Sequence, residues 1–110
     1  MRIMMINHNK LRDYNCYDVN ETVEKYNKGY FNKVAEVCTD DLEEAYSMSQ
    51  NREGCWHNDD YVISYATKHE ETRSTMVGDV FIKGEGINKE YYVVAGCGFK
   101  RLDGIDEFYE

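Results

Sequence analysis

The chain has few basic side chains for its size: 13 Lys and Arg stand against 21 Asp and Glu in 110 residues, giving a formal net charge of −8. Binding to nucleic acid without sequence preference requires clustered Lys and Arg side chains, and so does binding to an anionic membrane surface. Both partners are disfavoured, so the charge favours a basic protein surface or a small ligand held in a local pocket. Plain solubility is the competing explanation.

Long apolar runs are also missing, and proline is absent. No stretch approaches the roughly 18 apolar residues that a membrane span needs. The first ten residues, MRIMMINHNK, turn polar after a short apolar patch, which is not the pattern of a signal peptide. We therefore expect a protein of the cytoplasm.

Cysteine is sparse and unevenly spaced, at Cys16, Cys38, Cys55 and Cys97. In a reducing cytosol we expect free thiols, mostly buried as small hydrophobic side chains. A zinc site would need ligand pairs such as CxxC or HxxxH, and the stretch GCWHNDD at 54–60 lacks that spacing. The sequence therefore predicts no metal and no cofactor.

What the chain does have is enough apolar side chain for one core: 42% of its residues are hydrophobic and 14% aromatic. The length fits one domain, 1–110. Within it we expect a variable N-terminal segment (1–30), a core of sheet and helix (31–100) and an acidic tail (101–110).

The first 40 residues are expected to hold two strands and a short helix. Residues 1–6 predict an edge strand and residues 7–18 a loop. In the helix that follows, Asn20 is the expected N-cap and Gly29 lies just past the end. The β-branched pattern of YFNKVAEVCT, residues 30–39, predicts the second strand.

The clearest local signal is TDDLEEAYSMSQN, residues 39–51. Asp40 is expected to cap a helix while Glu43 reaches back to it, as in a capping box. Leu42, Ala45 and Tyr46 recur at i, i+3 and i+4 and predict its apolar face.

Three further strands are expected, at 61–67, 76–83 and 90–99, the last two joined by the hairpin loop GEGINK. The element order predicts an α+β fold: an antiparallel sheet of about four strands with one or two helices packed on one face. Gly96 and Gly98 are expected to mark a twisted or bulged strand end.

The stretch Arg73-Ser74-Thr75 has two interpretations. Its hydroxyls, amides and guanidinium could hold an anion such as a phosphate. Alternatively, Ser74 and Thr75 make local turn bonds while Arg73 pairs with a nearby acid, which we favour because no glycine-rich phosphate loop is present. Asp79, after Gly78, is expected to face solvent rather than to serve as a catalytic carboxylate.

Acidic residues gather in two places, around the second helix and in the tail. Spaced carboxylates on a rigid face can imitate DNA phosphates, which carry one charge per ~1.7 Å of axis. The competing interpretation is a solvated helix start and tail. The candidate partner-binding residues are Asp40, Asp41, Glu43, Glu44, Asp103, Asp106 and Glu107.

Four stretches taken in order, VAEVCTDDLEEAYSMSQN, Trp56, RSTMVGDVFI and YYVVAGCGF, resemble a pattern in small, largely uncharacterised proteins of phages and mobile elements. The resemblance covers about residues 34–99 and leaves the first ~30 without a counterpart. Its signature positions are Leu42, Tyr46, Trp56, Arg73, Ser74, Thr75, Gly78, Asp79, Gly98 and Phe99.

The resemblance implies a phage context, in which small acidic proteins often bind and inhibit host defence machinery. We therefore expect a non-catalytic accessory protein in the host cytoplasm, of the anti-CRISPR type. Its acidic surface would occlude a nucleic-acid-binding site on a defence protein with a basic surface.

Two other function classes stay open. One is a module that sequesters a signalling nucleotide, with Arg73, Ser74 and Thr75 on its phosphate and Trp56 or Phe99 stacked on its base. The other is a nuclease or hydrolase using Asp79, His57 and Cys97, which we disfavour because no recognised catalytic motif occurs. The aromatic content and sheet edges are also compatible with a homo-oligomer.

Overall fold

The structure, a computed structural model, describes residues 3–10, 18–51, 62–64, 73–84 and 88–105. These residues form six strands and two helices. In chain order they are β1 (Met4–Asn9), α1 (Val19–Asn27), β2 (Phe31–Val37), α2 (Leu42–Met48), β3 (Val62–Ser64), β4 (Val80–Lys83), β5 (Glu90–Ala95) and β6 (Gly98–Leu102).

One antiparallel sheet holds all six strands, in the order β3-β2-β1-β4-β5-β6. The α+β class and the antiparallel sheet are confirmed. The N-terminal strand, however, is not an edge strand, because β1 lies between β2 and β4, with Met4 opposite both Val37 and Lys83. A β-bulge at Val34 lets Ile6 face Ala35 while Asn7 faces Lys33.

The expectation that the helices share one face is wrong, because they cover opposite faces of the sheet. Ala45 of α2 packs with Ile6 and Phe81 in one apolar cluster, whereas Val23 of α1 packs against Val80, Ile82 and other residues of a second cluster. Consecutive apolar residues in a strand point to opposite faces, so both faces of β4 are apolar and each needs a cover.

Each helix begins one or two residues away from the expected position. Asp18 caps α1 by accepting from the Glu21 amide at 2.9 Å, so Asn20 is not the cap, whereas Gly29 does follow the helix with φ +84°. Asp41, not Asp40, caps α2. On α2, Ala45 is buried but Tyr46 is exposed, because the apolar face continues through Leu42 and Met48.

The stretch expected as one strand at 90–99 is a hairpin. The chain turns at Gly96-Cys97, and Ala95 pairs with Gly98, which has φ +93° and so suits glycine. The first two residues of the expected tail, 101 and 102, belong to β6. Cys97 and Cys38 are exposed rather than buried, while Cys16 and Cys55 lie outside the described residues.

A pair of truncations tests the two-sided core. Phe81→Ala and Ile82→Ala remove buried side chains from opposite faces of β4, so each should lower the free energy of unfolding by about 2–5 kcal/mol. Urea denaturation measures both, with exposed Asn32→Ala on β2 as a control expected within about 0.5 kcal/mol of the parent chain. A cost under 1 kcal/mol for Ile82→Ala would mean that its face is not a core.

Candidate functional site

The segment from Arg73 to Asp79 ends in a tight turn that points an acid into the protein. The Asp79 amide donates to the Met76 carbonyl at 3.1 Å, and Gly78 has φ +96°, as the third position of a type II turn requires. The Gly78 amide and the Asp79 carbonyl both bond to Val94 of β5. Gly78 therefore allows the chain to form this turn, and the turn positions Asp79 directly before β4.

Asp79 is fully buried and not solvent-facing as the sequence led us to expect. Its Oδ1 accepts from Arg73 Nη2 at 2.7 Å and the Asn9 amide at 2.9 Å; its Oδ2 accepts from Arg73 Nη1 at 2.7 Å and the Met76 amide at 2.8 Å. A buried carboxylate is tolerated only when paired and hydrogen-bonded, and a bidentate arginine is a strong partner. Asp79 thereby joins β1 to the segment before β4.

Arg73 uses most of its N–H groups in hydrogen bonds within the protein. Besides the two bonds to Asp79, Nη1 donates to the Ser74 carbonyl at 3.0 Å and Nη2 to the Asn9 carbonyl at 3.3 Å. A guanidinium has five N–H groups, so these contacts account for four. This geometry matches the favoured interpretation, in which Arg73 pairs with an acid, and leaves little for a phosphate.

Ser74 and Thr75 fasten the segment to the end of α2. Ser74 Oγ accepts from the Asn51 amide at 2.7 Å, and the Thr75 amide donates to the Ser49 carbonyl at 2.9 Å. Gln50 Nε2 donates to the Thr75 carbonyl at 3.0 Å. These bonds join residues at least 23 positions apart, so they are not the local turn bonds expected of Ser74 and Thr75. They hold the C-terminal end of α2 against the sheet.

His8 completes the buried cluster from β1. Its Nε2 lies 3.0 Å from Thr75 Oγ1 and 3.8 Å from Asp79 Oδ2. The pKa of His8 is lowered from 6.5 to about 4, chiefly because burial disfavours the charged imidazole; Asp79 opposes this shift in part, and Arg73 contributes to it by a smaller amount. The imidazole is therefore neutral at pH 7.

Thr75, His8 and Asp79 do not form a catalytic triad. In a triad the histidine uses one ring nitrogen for the hydroxyl and the other for the carboxylate, whereas here Nε2 lies nearest to both. Thr75 is also only 2% exposed, so its hydroxyl group is not accessible to a substrate. The cluster's contacts fix structure and offer no reacting group to a ligand.

The acidic surface of α2 faces solvent. Asp40, Asp41, Glu43 and Glu44 are all exposed, and residues 34–51 contain no Lys or Arg. Asp41 Oδ1 caps the helix by accepting from the Glu43 and Glu44 amides, at 2.9 and 3.1 Å. The four carboxylates thus lie together at the start of a helix whose other end is fastened to the sheet.

Asp103, the tail acid that the structure describes, does not extend this surface. Asp103 is exposed, but the adjacent Gly104 accepts a hydrogen bond from Asn27 of α1 at 3.1 Å, on the face of the sheet opposite α2. Asp106 and Glu107 lie outside the described residues, as do Trp56 and His57. The structure therefore separates Asp103 from the α2 acids.

A shallow groove of about 300 Å³ lies between α2 and the β5–β6 hairpin. Polar and apolar atoms both contribute to its walls, and Glu43 is the charged residue among them; they include Glu43, Tyr46, Val77, Val94, Gly96 and Phe99. Phe99 is half-buried: its ring centroid lies 5.8 Å from that of Phe81 in the core, and the residue also lines the groove. Sequence reasoning did not find the groove.

Two further absences hold for the described part of the chain. No three His, Cys, Asp or Glu side chains gather there so as to hold a metal ion. The helices found there are nine and seven residues long, too short for the ~20 residues of a bilayer span.

Sequence reasoning also missed His8 and Asn9, because NHN resembles a loop. One signal was available: Arg73 and Asp79 flank a glycine turn, so a partner for the acid lay within reach in the same stretch.

No family model matches the chain, and neither a curated protein nor a solved structure was found to match it. The phage resemblance stays a prediction.

The buried imidazole predicts a specific pH dependence. Because the pKa of His8 is lower in the folded protein, the unfolded chain binds the extra proton between pH 6.5 and 4. The His8 contribution to stability is complete above pH 6.5 and is lost as the pH falls, by about 3 kcal/mol at most. Urea denaturation at pH 7.5, 5.5 and 4 should show this loss in the parent chain.

His8→Gln is the matched variant, since glutamine can bond to Thr75 but does not titrate. The difference in unfolding free energy between the two proteins should shrink as the pH falls. A difference that stays constant from pH 7.5 to 4 would contradict a neutral, buried His8.

Proposed function

We propose that this chain is a non-catalytic inhibitor that binds the basic, nucleic-acid-binding surface of a host defence complex through the acidic start of α2. The observation that carries the proposal is the exposed group of Asp40, Asp41, Glu43 and Glu44 in a stretch with no basic residue. Occlusion of the partner's nucleic-acid site would be steric and electrostatic.

The density of charge supports this mechanism. Four carboxylates lie within residues 40–44; the two in α2, Glu43 and Glu44, are offset by about 1.5 Å along the helix axis, close to the one charge per ~1.7 Å of DNA. A basic groove built for phosphates would meet a similar field. The cytoplasm of an infected host and the anti-CRISPR type are the context implied by the motif resemblance.

Rigidity supports it as well. The Asp41 cap fixes one end of α2, and the bonds of Ser49, Gln50 and Asn51 to residues 74–75 fix the other. A preorganised surface loses less conformational entropy on binding, which leaves more of the electrostatic attraction for affinity.

The nucleotide-sequestering alternative is not favoured by the geometry. Arg73 is committed to Asp79, Thr75 is buried, and Ser74 Oγ is bonded to the Asn51 amide. A phosphate would have to break these bonds. The enzyme alternative loses its proposed carboxylate for the same reason, because Asp79 is fully buried.

Charge neutralisation tests the proposal. The variant Asp40→Asn, Asp41→Asn, Glu43→Gln, Glu44→Gln removes four charges but keeps a good N-cap, since asparagine caps as well as aspartate. We expect inhibition of target-DNA binding by the susceptible member of a panel of purified RNA-guided nucleases to fall at least tenfold. Fluorescence anisotropy of labelled target DNA measures it, and inhibition by the parent chain should weaken as salt is raised.

The matched control is Asp18→Asn, Glu21→Gln, Glu24→Gln, Asp103→Asn. This variant also removes four negative charges, but from exposed positions at the start of α1, within α1 and after β6. Asp18→Asn keeps a residue that can cap α1. The control should inhibit nearly as well as the parent chain. Equal losses in both variants, or none in the α2 variant, would remove α2 as the contact.

A further inference from the structure

The groove beside α2 has the character of a site for one side chain of a partner protein. Val94 lies in its floor, buried among the core residues, while Tyr46 and half-buried Phe99 form walls. Its volume of about 300 Å³ is at the lower limit of small-molecule sites, so it has room for one or two large side chains.

Exposed apolar surface at this place needs an explanation. Tyr46 is 37% exposed, and among the described residues only Tyr30, at 38%, is a similarly exposed large hydrophobic residue. Gly96, also in the groove wall, would place an added Cβ in open space with nothing within 4 Å. The groove is therefore open to an incoming group.

The negative charge beside the groove indicates which kind of group would bind in it. Glu43 belongs both to the groove wall and to the acidic start of α2, so an occupant of the groove lies beside several carboxylates. We propose that the groove receives an aromatic or long aliphatic side chain of a partner protein, flanked in its sequence by Lys or Arg that pair with Glu43 and its neighbours. This inference rests on the proposed function and deepens it, because the apolar anchor gives affinity that salt does not screen.

Three labelled ten-residue peptides test the inference by fluorescence anisotropy. The first contains Lys, Arg and Gly around a central Phe; the second has Ala in place of Phe; the third keeps Phe but has Gln in place of every Lys and Arg. On the parent chain, the first should bind about tenfold more tightly than either of the others.

Tyr46→Ala removes one wall of the groove, and Tyr30→Ala removes the matched exposed tyrosine elsewhere. Tyr46→Ala should weaken the Phe peptide about tenfold and leave the Ala peptide unchanged, whereas Tyr30→Ala should change neither. Gly96→Leu adds a large side chain at the groove wall, at a position without positive φ, and should act like Tyr46→Ala, with exposed Asn32→Leu as its control.

The outcomes separate the two proposals. Equal binding of the Phe and Ala peptides, with both weakened by the fourfold α2 variant, would overturn the groove and leave the acidic contact standing. Binding of both basic peptides that the fourfold variant does not weaken would overturn the acidic contact. A dimer in sedimentation analysis that Gly96→Leu converts to monomer would show that a second copy fills the groove, and would overturn the inference.

Discussion

The buried carboxylate of Asp79 is the interaction on which the rest of the arrangement depends. It accepts four hydrogen bonds, two from Arg73 and one each from the amides of Asn9 and Met76. A buried charge without partners has a high free-energy cost, so the folded state depends on the position of each of these donors. Through these donors the central strand β1 and the segment before β4 are held in one geometry.

That geometry extends to the surface. The segment held by Asp79 carries Ser74 and Thr75, which bond to the last residues of α2, and α2 carries both the acidic group and Tyr46 of the groove. A short helix of seven residues has little stability of its own and depends on such tertiary contacts. The buried ion pair thus supports the proposed binding surface without touching it.

Local signals in the sequence predicted most of the elements but not their environment. The acidic helix and strands β4 and β5 follow from capping residues and alternation, although the cap is Asp41 and not Asp40. The expectation that Asp79 faces solvent was wrong because it needed knowledge of what covers that part of the sheet: Asp79 and Phe81, two residues further on, are both fully buried, and Phe81 packs in the cluster that contains Ala45 of α2. Whether β1 lies at the edge or the centre depends on long-range pairing, and so does the contact of His8 and Asn9 with residues about 70 positions away.

Hydrogen exchange in the Asp79→Asn variant tests most directly whether Asp79 positions α2. Asparagine keeps the shape but has one acceptor oxygen, so it cannot satisfy four donors. The account predicts that the Thr75 amide, bonded to Ser49, and the Ser49 amide at the end of α2 exchange at least tenfold faster relative to the Lys28 amide, which holds the matching position at the end of α1. Unchanged relative exchange at Thr75 and Ser49 would contradict it.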